Sequence, residues 1–498
     1  MSAVLSPLAW VWLVPMLLWV GPGAPARRLL PYACISGLVA GGVFHYGMFR
    51  ALGSLAFLYF PLAGFVLALP FLPFLAIRRI CGLSVALWTM PLVWPCTEWL
   101  VRHVEGLPPF LVMAVTQGNA TWLVQYADLF GEWGICSWVL LFNVVMYRIL
   151  VTPGSAQRRV VRLAIAAAIL LAFPAGYSAL RLNSGGPAPW YRVLLVQPNA
   201  GSDKEPLRLV EDEVYLTDVA VSKAKPDLIV WPEGAVPFLL ERNLNVRRFL
   251  SGAVSDWGTP LVTGAADGRL SRSTALGLAR FTRATNAAFV MTPGAPGQGA
   301  EQTRVALSHA KRRLVPFVET MPYSRVRWVS RLYQSWGVHN IAGWVPGSDF
   351  HVVDSIDDAG RRVRFANIIC WEEFYPEDVV EFARRGAQFF AVPTSDAVFG
   401  GSPVTYQHAT IARLRAIETR KPFVRSSSSG LTIALDAQGR EIASAPAGRE
   451  ATVMAAIAPA DGFTFYVLYP NLWPLLCACG LAAVAGSSTL RNLRKNKR

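Results

Sequence analysis

The chain has 498 residues, 53% of them hydrophobic and only 16% charged, with a mean hydropathy of +0.36. That length exceeds one compact core, and the balance is that of a membrane protein carrying a soluble part, not of a soluble enzyme alone. The net charge of +15 does not point to nucleic acid: much of the excess sits in short clusters beside apolar runs, where anionic lipid is the expected partner.

Apolar runs occupy roughly residues 4–20, 29–49, 53–77, 81–101, 131–151 and 160–181, and a seventh covers 463–485. Each approaches the ~20 residues that a helix needs to cross the hydrocarbon. The first lacks a basic leading region and is not expected to be a cleaved signal peptide. Arg27 and Arg28, then Arg78 and Arg79, then Arg148, Arg158, Arg159 and Arg162 mark alternate connections. Arg491, Arg494, Lys495, Lys497 and Arg498 follow the last run, whereas the intervening connections hold Arg50 and Arg102. The positive-inside rule predicts basic connections and C-terminus in the cytoplasm, with the N-terminus and the long polar segment outside.

That polar segment begins after the Gly/Pro-rich stretch Ser184 to Pro189 and runs to about Ala460. Its pattern is α/β: β-rich runs at 193–197, 227–231, 260–265, 287–292, 365–370 and 389–394 alternate with helical stretches such as His408 to Arg420. The expected division is therefore 1–186 as a transmembrane helical domain of about six spans, 187–460 as an α/β domain outside the membrane, and 461–498 as a last span with a basic tail. Of seven cysteines, Cys34, Cys81, Cys96, Cys136, Cys477 and Cys479 fall in apolar segments and read as small buried hydrophobes. Cys370 alone lies in the polar segment, where it has no disulfide partner and no metal-ligand spacing.

Three strand ends carry candidate chemistry. DLIVWPE delivers Glu233 just after a buried strand, where a carboxylate can serve as a base, although such a glutamate alone is more often a surface residue. HAKRRLVPFVE places Lys311 eight positions before Glu319, and a lysine can meet a developing oxyanion; Arg312 and Arg313 beside it also allow a solvated basic patch. ANIICWEEFYPE sets Cys370 at the end of an apolar strand, followed by Trp371, Glu372 and Glu373. A thiol there is either a structural filler or a nucleophile able to carry an acyl group as a thioester.

Together, in this order and context, the three resemble the Glu–Lys–Cys triad of the nitrilase superfamily. With spans on both sides, the chain resembles the superfamily's membrane-embedded branch, the apolipoprotein N-acyltransferase family. The likeness covers nearly the whole chain and rests on PLAWVWLVPMLL, YADLFGEWG, VQPN, VWPE, KRRLVPFVE, IICWE, SDAVFGGSP, YQHATIARLRAIETRKPFVRSSSSG and YPNLWP. It implies a multi-pass α-helical membrane domain joined to an extracytoplasmic α/β nitrilase-like domain, an αββα sandwich. It assigns Cys370 as nucleophile, Glu233 as general base and Lys311 as oxyanion stabiliser, with Glu319, Trp371 and Glu372 supporting the site and no metal or cofactor. The role of Arg425, in the matching VRSSSSG strand, stays open between ion pair and substrate contact. The implied partners are a phospholipid acyl donor, a diacylglyceryl lipoprotein acceptor and membrane lipids, in the bacterial inner membrane. Departures from the family pattern are Arg313 and Val318 in place of histidine and glycine, Val398 in place of tryptophan, and seven apolar runs where eight spans are common. The rival readings are a membrane-tethered amidase, which needs the same triad, and a non-catalytic lipid-binding relative.

Overall fold

The computed structural model describes all residues except 1–2, 21–28, 54–55, 110, 200–203, 272–279, 296–298, 336–343, 358 and 496–498; Arg27, Arg28, Lys497 and Arg498 lie outside the described residues. Packing divides the chain in two. Met1–Phe49, Gly53–Gly185 and Thr464–Arg498 make one unit, and Arg50–Leu52 with Gly186–Phe463 make the other.

The first unit is helical, as hydrocarbon demands, because a helix satisfies its own backbone polar groups. Among the described residues, Tyr59–Cys81, Ala127–Val151 and Ala156–Asn183 are long and apolar enough to cross a membrane, and Ser6–Trp19, Leu29–Val43 and Leu472–Ser487 are shorter apolar helices. Ile165, Ile169, Phe173 and Leu180 are exposed along Ala156–Asn183, a surface suited to lipid. The run at 81–101 is the helix Leu83–Arg102, whose hydropathy is diluted by Pro91, Pro95, three tryptophans and Glu98. Glu98 is buried and accepts from Trp94 Nε1 at 3.0 Å and the Met113 N–H at 2.9 Å. The run at 463–485 is broken: Phe465–Leu468, capped by Thr464, ends before Leu472–Lys495 begins. Two features draw helices close. A Cβ on Gly37 would meet Gly64 Cα at 2.8 Å, so glycine lets Leu29–Phe44 and Ala56–Ala68 touch backbone to backbone. Ser137 Oγ donates to Pro91 O at 2.7 Å and accepts from Trp473 Nε1 at 2.8 Å, tying three helices through one hydroxyl.

Among the described residues, the second unit holds thirteen strands in two sheets. β1 (Tyr191–Gln197), β2 (Leu228–Val230), β3 (Val236–Leu239), β4 (Leu261–Ser271), β5 (Arg280–Thr292), β6 (Arg304–Ala310) and β13 (Ala451–Ile457) form the first, ordered β13-β1-β2-β4-β5-β6 with β3 beside β4. β7 (Val353–Ile356), β8 (Arg362–Asn367), β9 (Phe389–Thr394), β10 (Phe423–Ser427), β11 (Thr432–Leu435) and β12 (Glu441–Ala445) form the second, in order β12 to β7. β1, β2 and β4 run parallel in one sheet, and β8, β9 and β10 in the other.

Alternation along the strands explains the layers. Val193 and Leu195 of β1 face the second sheet and pack with Phe365, Phe389 and Val424. Leu194 and Val196, one residue out of step, face the other way and join Val210, Leu250 and Val254 of the helices Pro206–Val221 and Leu244–Trp257. Helices Pro376–Arg384 and Pro403–Thr419 belong with the second sheet. The unit is an α–β–β–α sandwich, and the expected α/β nitrilase-like class holds.

Phe389 sits in the layer between the sheets, fully buried, with ring centroids 5.2 Å from Phe365 and 5.5 Å from Tyr191. Phe389→Ala should cost about 3–5 kcal/mol. Thermal unfolding of the detergent-solubilised chain should therefore begin at a clearly lower temperature. An unchanged transition would mean that this layer does not limit stability.

Candidate active site

Each candidate is delivered by a strand end. After β2, the Trp231 N–H bonds Val262 O at 2.8 Å and the Glu233 N–H bonds Thr394 O at 3.3 Å, so this turn is pinned between the two sheets. Gly264 must lack a side chain here, because its Cβ would lie 2.7 Å from Glu233 Cα. Lys311 follows β6; its N–H bonds Asn286 O at 2.7 Å and its carbonyl accepts from the Gly347 N–H at 2.8 Å. Cys370 lies three residues beyond β8, not on the strand itself as its apolar run led one to expect. It opens a short 3-10 turn, Cys370–Phe374, with φ of +50°. A non-glycine residue in that region costs about 1–3 kcal/mol, which surrounding bonds must offset.

These ends converge. Lys311 Nζ is 2.8 Å from Glu233 Oε1 and 3.1 Å from Glu319 Oε1, and its side chain is 1% exposed. Asn286 Nδ2 donates to the same two oxygens, at 2.7 and 2.8 Å. Two residues along β5, and so on the same face, Ala288 packs against Ile369 and Cys370. The thiol is thus brought beside the cluster that Asn286 binds, and it interacts electrostatically with both Glu233 and Lys311. Sequence reasoning had no signal for Asn286: a lone asparagine in a strand pattern looks like any other.

The charges are set by burial and neighbours. Burial opposes the ammonium of Lys311, but Glu233, Glu319 and Cys370 hold its pKa well above the ordinary lysine value, so it stays cationic. Burial and the nearby Glu233 push the Cys370 thiol well above its ordinary value, with Lys311 only partly opposing. At neutral pH the resting residue is a thiol, not a thiolate.

Around this centre the supporting residues take distinct jobs. Glu319 Oε2 accepts from the Val315 N–H at 2.8 Å, closing the turn that returns it to Lys311. Both Glu372 oxygens are engaged: it accepts from the Ile369 N–H at 2.7 Å, the Arg312 N–H at 2.6 Å and His309 Nε2 at 2.8 Å. One carboxylate therefore fastens the cysteine turn to the lysine strand. Burial alone would raise its pKa, but His309 and the two N–H groups hold it below the ordinary value. Trp371 is buried, its ring 5.0 Å from Phe374. Arg312 and Arg313 are not a solvated patch: Arg313 Nε bonds Asp378 at 2.8 Å, and Arg312 lies over Phe350 at 3.8 Å. Val318 and Val398 are exposed.

Beneath the cysteine turn lies a cluster that the motifs contained but did not explain. Arg425 Nη2 bonds Asp396 Oδ2 at 2.8 Å and Arg425 Nε bonds Glu373 Oε2 at 3.2 Å; His408 lies 2.8 Å from Asp396 Oδ1 and 3.0 Å from Glu373 Oε2. All four are essentially inaccessible, which resolves the open role of Arg425 as an ion pair. Among the described residues no cluster has the make-up of a metal site.

The carbon-nitrogen hydrolase family profile matches residues 192–462, and that of the apolipoprotein N-acyltransferase N-terminal domain matches 3–145. The apolipoprotein N-acyltransferase of Chlorobaculum tepidum is 31% identical over 520 residues, spanning 96% of this chain and 91% of that protein. The Geobacter metallireducens protein of the same name is 27% identical, spanning 97% and 91%. Among solved structures, Nit3 of Saccharomyces cerevisiae, a nitrilase superfamily member, aligns with a TM-score of 0.38 at 19% identity, over 54% of this chain and 90% of its own.

Glu372 yields a prediction with a definite sign. Its folded pKa lies below the ordinary value, so its stabilisation is present above the unfolded pKa of about 4.3 and is lost as pH falls through the folded value. Glu372→Gln should lower stability at pH 7 by about 2–3 kcal/mol and flatten the acid limb of the melting temperature against pH. An acid limb identical to that of the unaltered chain would remove Glu372 from this role.

Proposed function

We propose that this chain, which belongs to the apolipoprotein N-acyltransferase family, carries an acyl group on Cys370 from a membrane phospholipid to the N-terminal amine of a diacylglyceryl-cysteine lipoprotein. It is an acyltransferase of lipid and lipoprotein substrates in a membrane, and neither the amidase nor the non-catalytic reading is favoured over a relationship spanning 96% of the chain. The observation that carries the residue roles is the single ammonium of Lys311 held between Glu233 and Glu319 beside the thiol.

In the first half-reaction Glu233 takes the thiol proton as Cys370 Sγ attacks the ester carbonyl carbon. Glu233 Oε1 is engaged by Lys311 and Asn286, so Oε2 is the oxygen for that proton. Two of the three Nζ protons bond carboxylates, and the third meets the oxyanion. Collapse breaks the ester C–O bond, Glu233 returns the proton to the departing lysophospholipid oxygen, and a thioester remains. In the second, the lipoprotein amine attacks the thioester, Glu233 receives the amine proton, and the thiolate leaves and is reprotonated. Residues 1–186 and 461–498 are assigned to the inner membrane and 187–460 to its outer side. Arg78, Arg79, Arg148, Arg158, Arg159 and Arg162 support that orientation.

Incubation with phospholipid alone, followed by intact-protein and peptide mass spectrometry, tests the chemistry. Cys370→Ser should carry no acyl adduct. Glu233→Gln should slow acylation by about 10²–10⁴-fold, and Lys311→Met by about 10²–10³-fold. Acyl-enzyme at the wild-type rate in either variant would strip that residue of its role. Val398→Trp should change donor or acceptor preference while a good donor still acylates Cys370. For orientation, a reporter fused after Arg162 should read cytoplasmic and one at Lys225 external; the reverse result would overturn the topology.

A further inference from the structure

The reading of Cys370 as nucleophile leaves one demand unmet: something must hold a buried, left-handed cysteine in place while bonds form and break at its sulfur. Its backbone carbonyl is the obvious handle. His408 Nε2 lies 3.2 Å from Cys370 O and 3.0 Å from Glu373 Oε2, while Nδ1 lies 2.8 Å from Asp396 Oδ1. Each ring nitrogen therefore faces a carboxylate oxygen, and an imidazole can donate to both only if both nitrogens carry a proton. The ring also stacks on Phe374 of the same turn, with centroids 4.9 Å apart at 14°.

We infer that His408, resting as an imidazolium, is a positioning residue for acyl transfer: by donating to the Cys370 carbonyl it fixes the strained turn that presents the thiol. The inference rests on Cys370 being the acyl carrier.

Three elements meet His408, which is carried by the helix Pro403–Thr419. Asp396 comes from the turn after β9, Arg425 from β10 and Glu373 from the cysteine turn. Asp396 bonds His408 through Oδ1 and Arg425 through Oδ2, while Glu373 Oε2 meets both cations. The ring of four charges is thus closed and balanced, two positive against two negative. Arg425 Nη2 and His408 Nδ1 lie 2.9 Å apart, held side by side by the Asp396 carboxylate that they share. Gly430 leaves room for it: a Cβ there would sit 2.3 Å from Asp396 Oδ2. Burial and Arg425 press the His408 pKa down, yet Asp396 and Glu373 raise it to about 9. Burial likewise opposes ionised Asp396, but Arg425 and His408 lower its pKa to about 2. The clamp is charged throughout the physiological range and opens only in alkali.

A glutamine places its amide nitrogen near the position of Nε2, so His408→Gln keeps the donor to the carbonyl, whereas His408→Leu keeps neither donor. Cys370 acylation by phospholipid vesicles should fall about 100-fold in His408→Leu and stay within about 10-fold of wild type in His408→Gln. Wild-type acylation should also decline as pH rises through about 9, when the imidazolium loses its proton, and His408→Gln should lack that decline. Equal losses in the two variants, a wild-type rate in His408→Leu, or no alkaline decline in the wild type would each overturn the inference. Iodoacetamide alkylation of Cys370, followed by peptide mapping, separates this from failure of the underlying reading. If wild-type Cys370 never carries an acyl group, the carrier reading fails. The alkylation rates then decide: a slower His408→Leu supports the clamp, and an unchanged one refutes it.

Discussion

An ammonium cannot be buried without company, and the active unit is arranged around that constraint. Lys311 is 1% exposed, and removing a charge from water costs several kcal/mol before any partner is counted. Two carboxylates answer it, Glu233 from the end of β2 and Glu319 from the turn that follows the lysine. With two negatives against one positive, Asn286 supplies a second set of donors to the same oxygens. Burial, with the nearby Glu233 carboxylate, keeps the neighbouring thiol protonated. Breaking one member of such a buried set costs roughly 3–5 kcal/mol, because the partner left behind keeps its desolvation penalty. The three strand ends are accordingly coupled in stability as well as in chemistry.

The same accounting for buried polar groups governs the links between sheets. Asn367 of β8 donates to Ser308 of β6 at 2.7 Å, and the Ser308 hydroxyl in turn donates to Ala288 O of β5 at 2.8 Å. Glu372 repeats the link one turn later, with its three donors drawn from both sheets. These bonds hold the register of the cysteine turn against the lysine strand. A shift of even about 1 Å between them would remove the reacting atoms from line. In the helical unit the partners differ but the rule is the same: Asp128 receives Tyr177 and Arg181, each at 2.8 Å, where an unpaired carboxylate would be untenable.

What the sequence disclosed follows from how local each signal is. Glu233 and Cys370 each follow a short apolar run, a pattern that needs only a few neighbouring residues to be read, and Lys311 was marked by its motif. The α/β character was legible for the same reason, since β-rich runs and helical periodicity are local, whereas the two-sheet sandwich was implied only by the family resemblance. Asn286 was not, because its importance lies in facing two carboxylates that are 53 and 33 positions away. His408 and Asp396 stood inside motifs that were recognised as strings, but their partnership with Glu373 and Arg425 exists only after β9 and β10 pair. Arg312 and Arg313 looked solvated because three cations in a row usually are; Asp378 and Phe350, far along the chain, reverse that. The break before Leu472 was hidden by hydropathy, which averages over Tyr469, Pro470 and Asn471 without registering the missing N–H of the proline.

A protonated resting thiol has a further consequence for an enzyme of this kind. The thiolate is the form that alkylating agents, disulfides and peroxides attack, so a low-pKa cysteine is reactive towards all of them. Cys370 is the opposite case, buried, neutral and held in a strained turn. In the proposed mechanism its reactivity is created at the moment of reaction, when Glu233 accepts the proton and the emerging charge passes to an ester oxygen within reach of Lys311. Only a substrate that places a carbonyl at that point completes the transfer, because without an oxyanion to receive it the charge has nowhere favourable to go. On that proposal, selectivity for acyl donors arises from the electrostatics of the triad itself, before any groove for a lipid chain is considered. The same reasoning accounts for the investment in Glu372 and the buried charge ring. A nucleophile that is activated only transiently gains nothing from a lowered pKa and depends instead on being correctly placed at that instant.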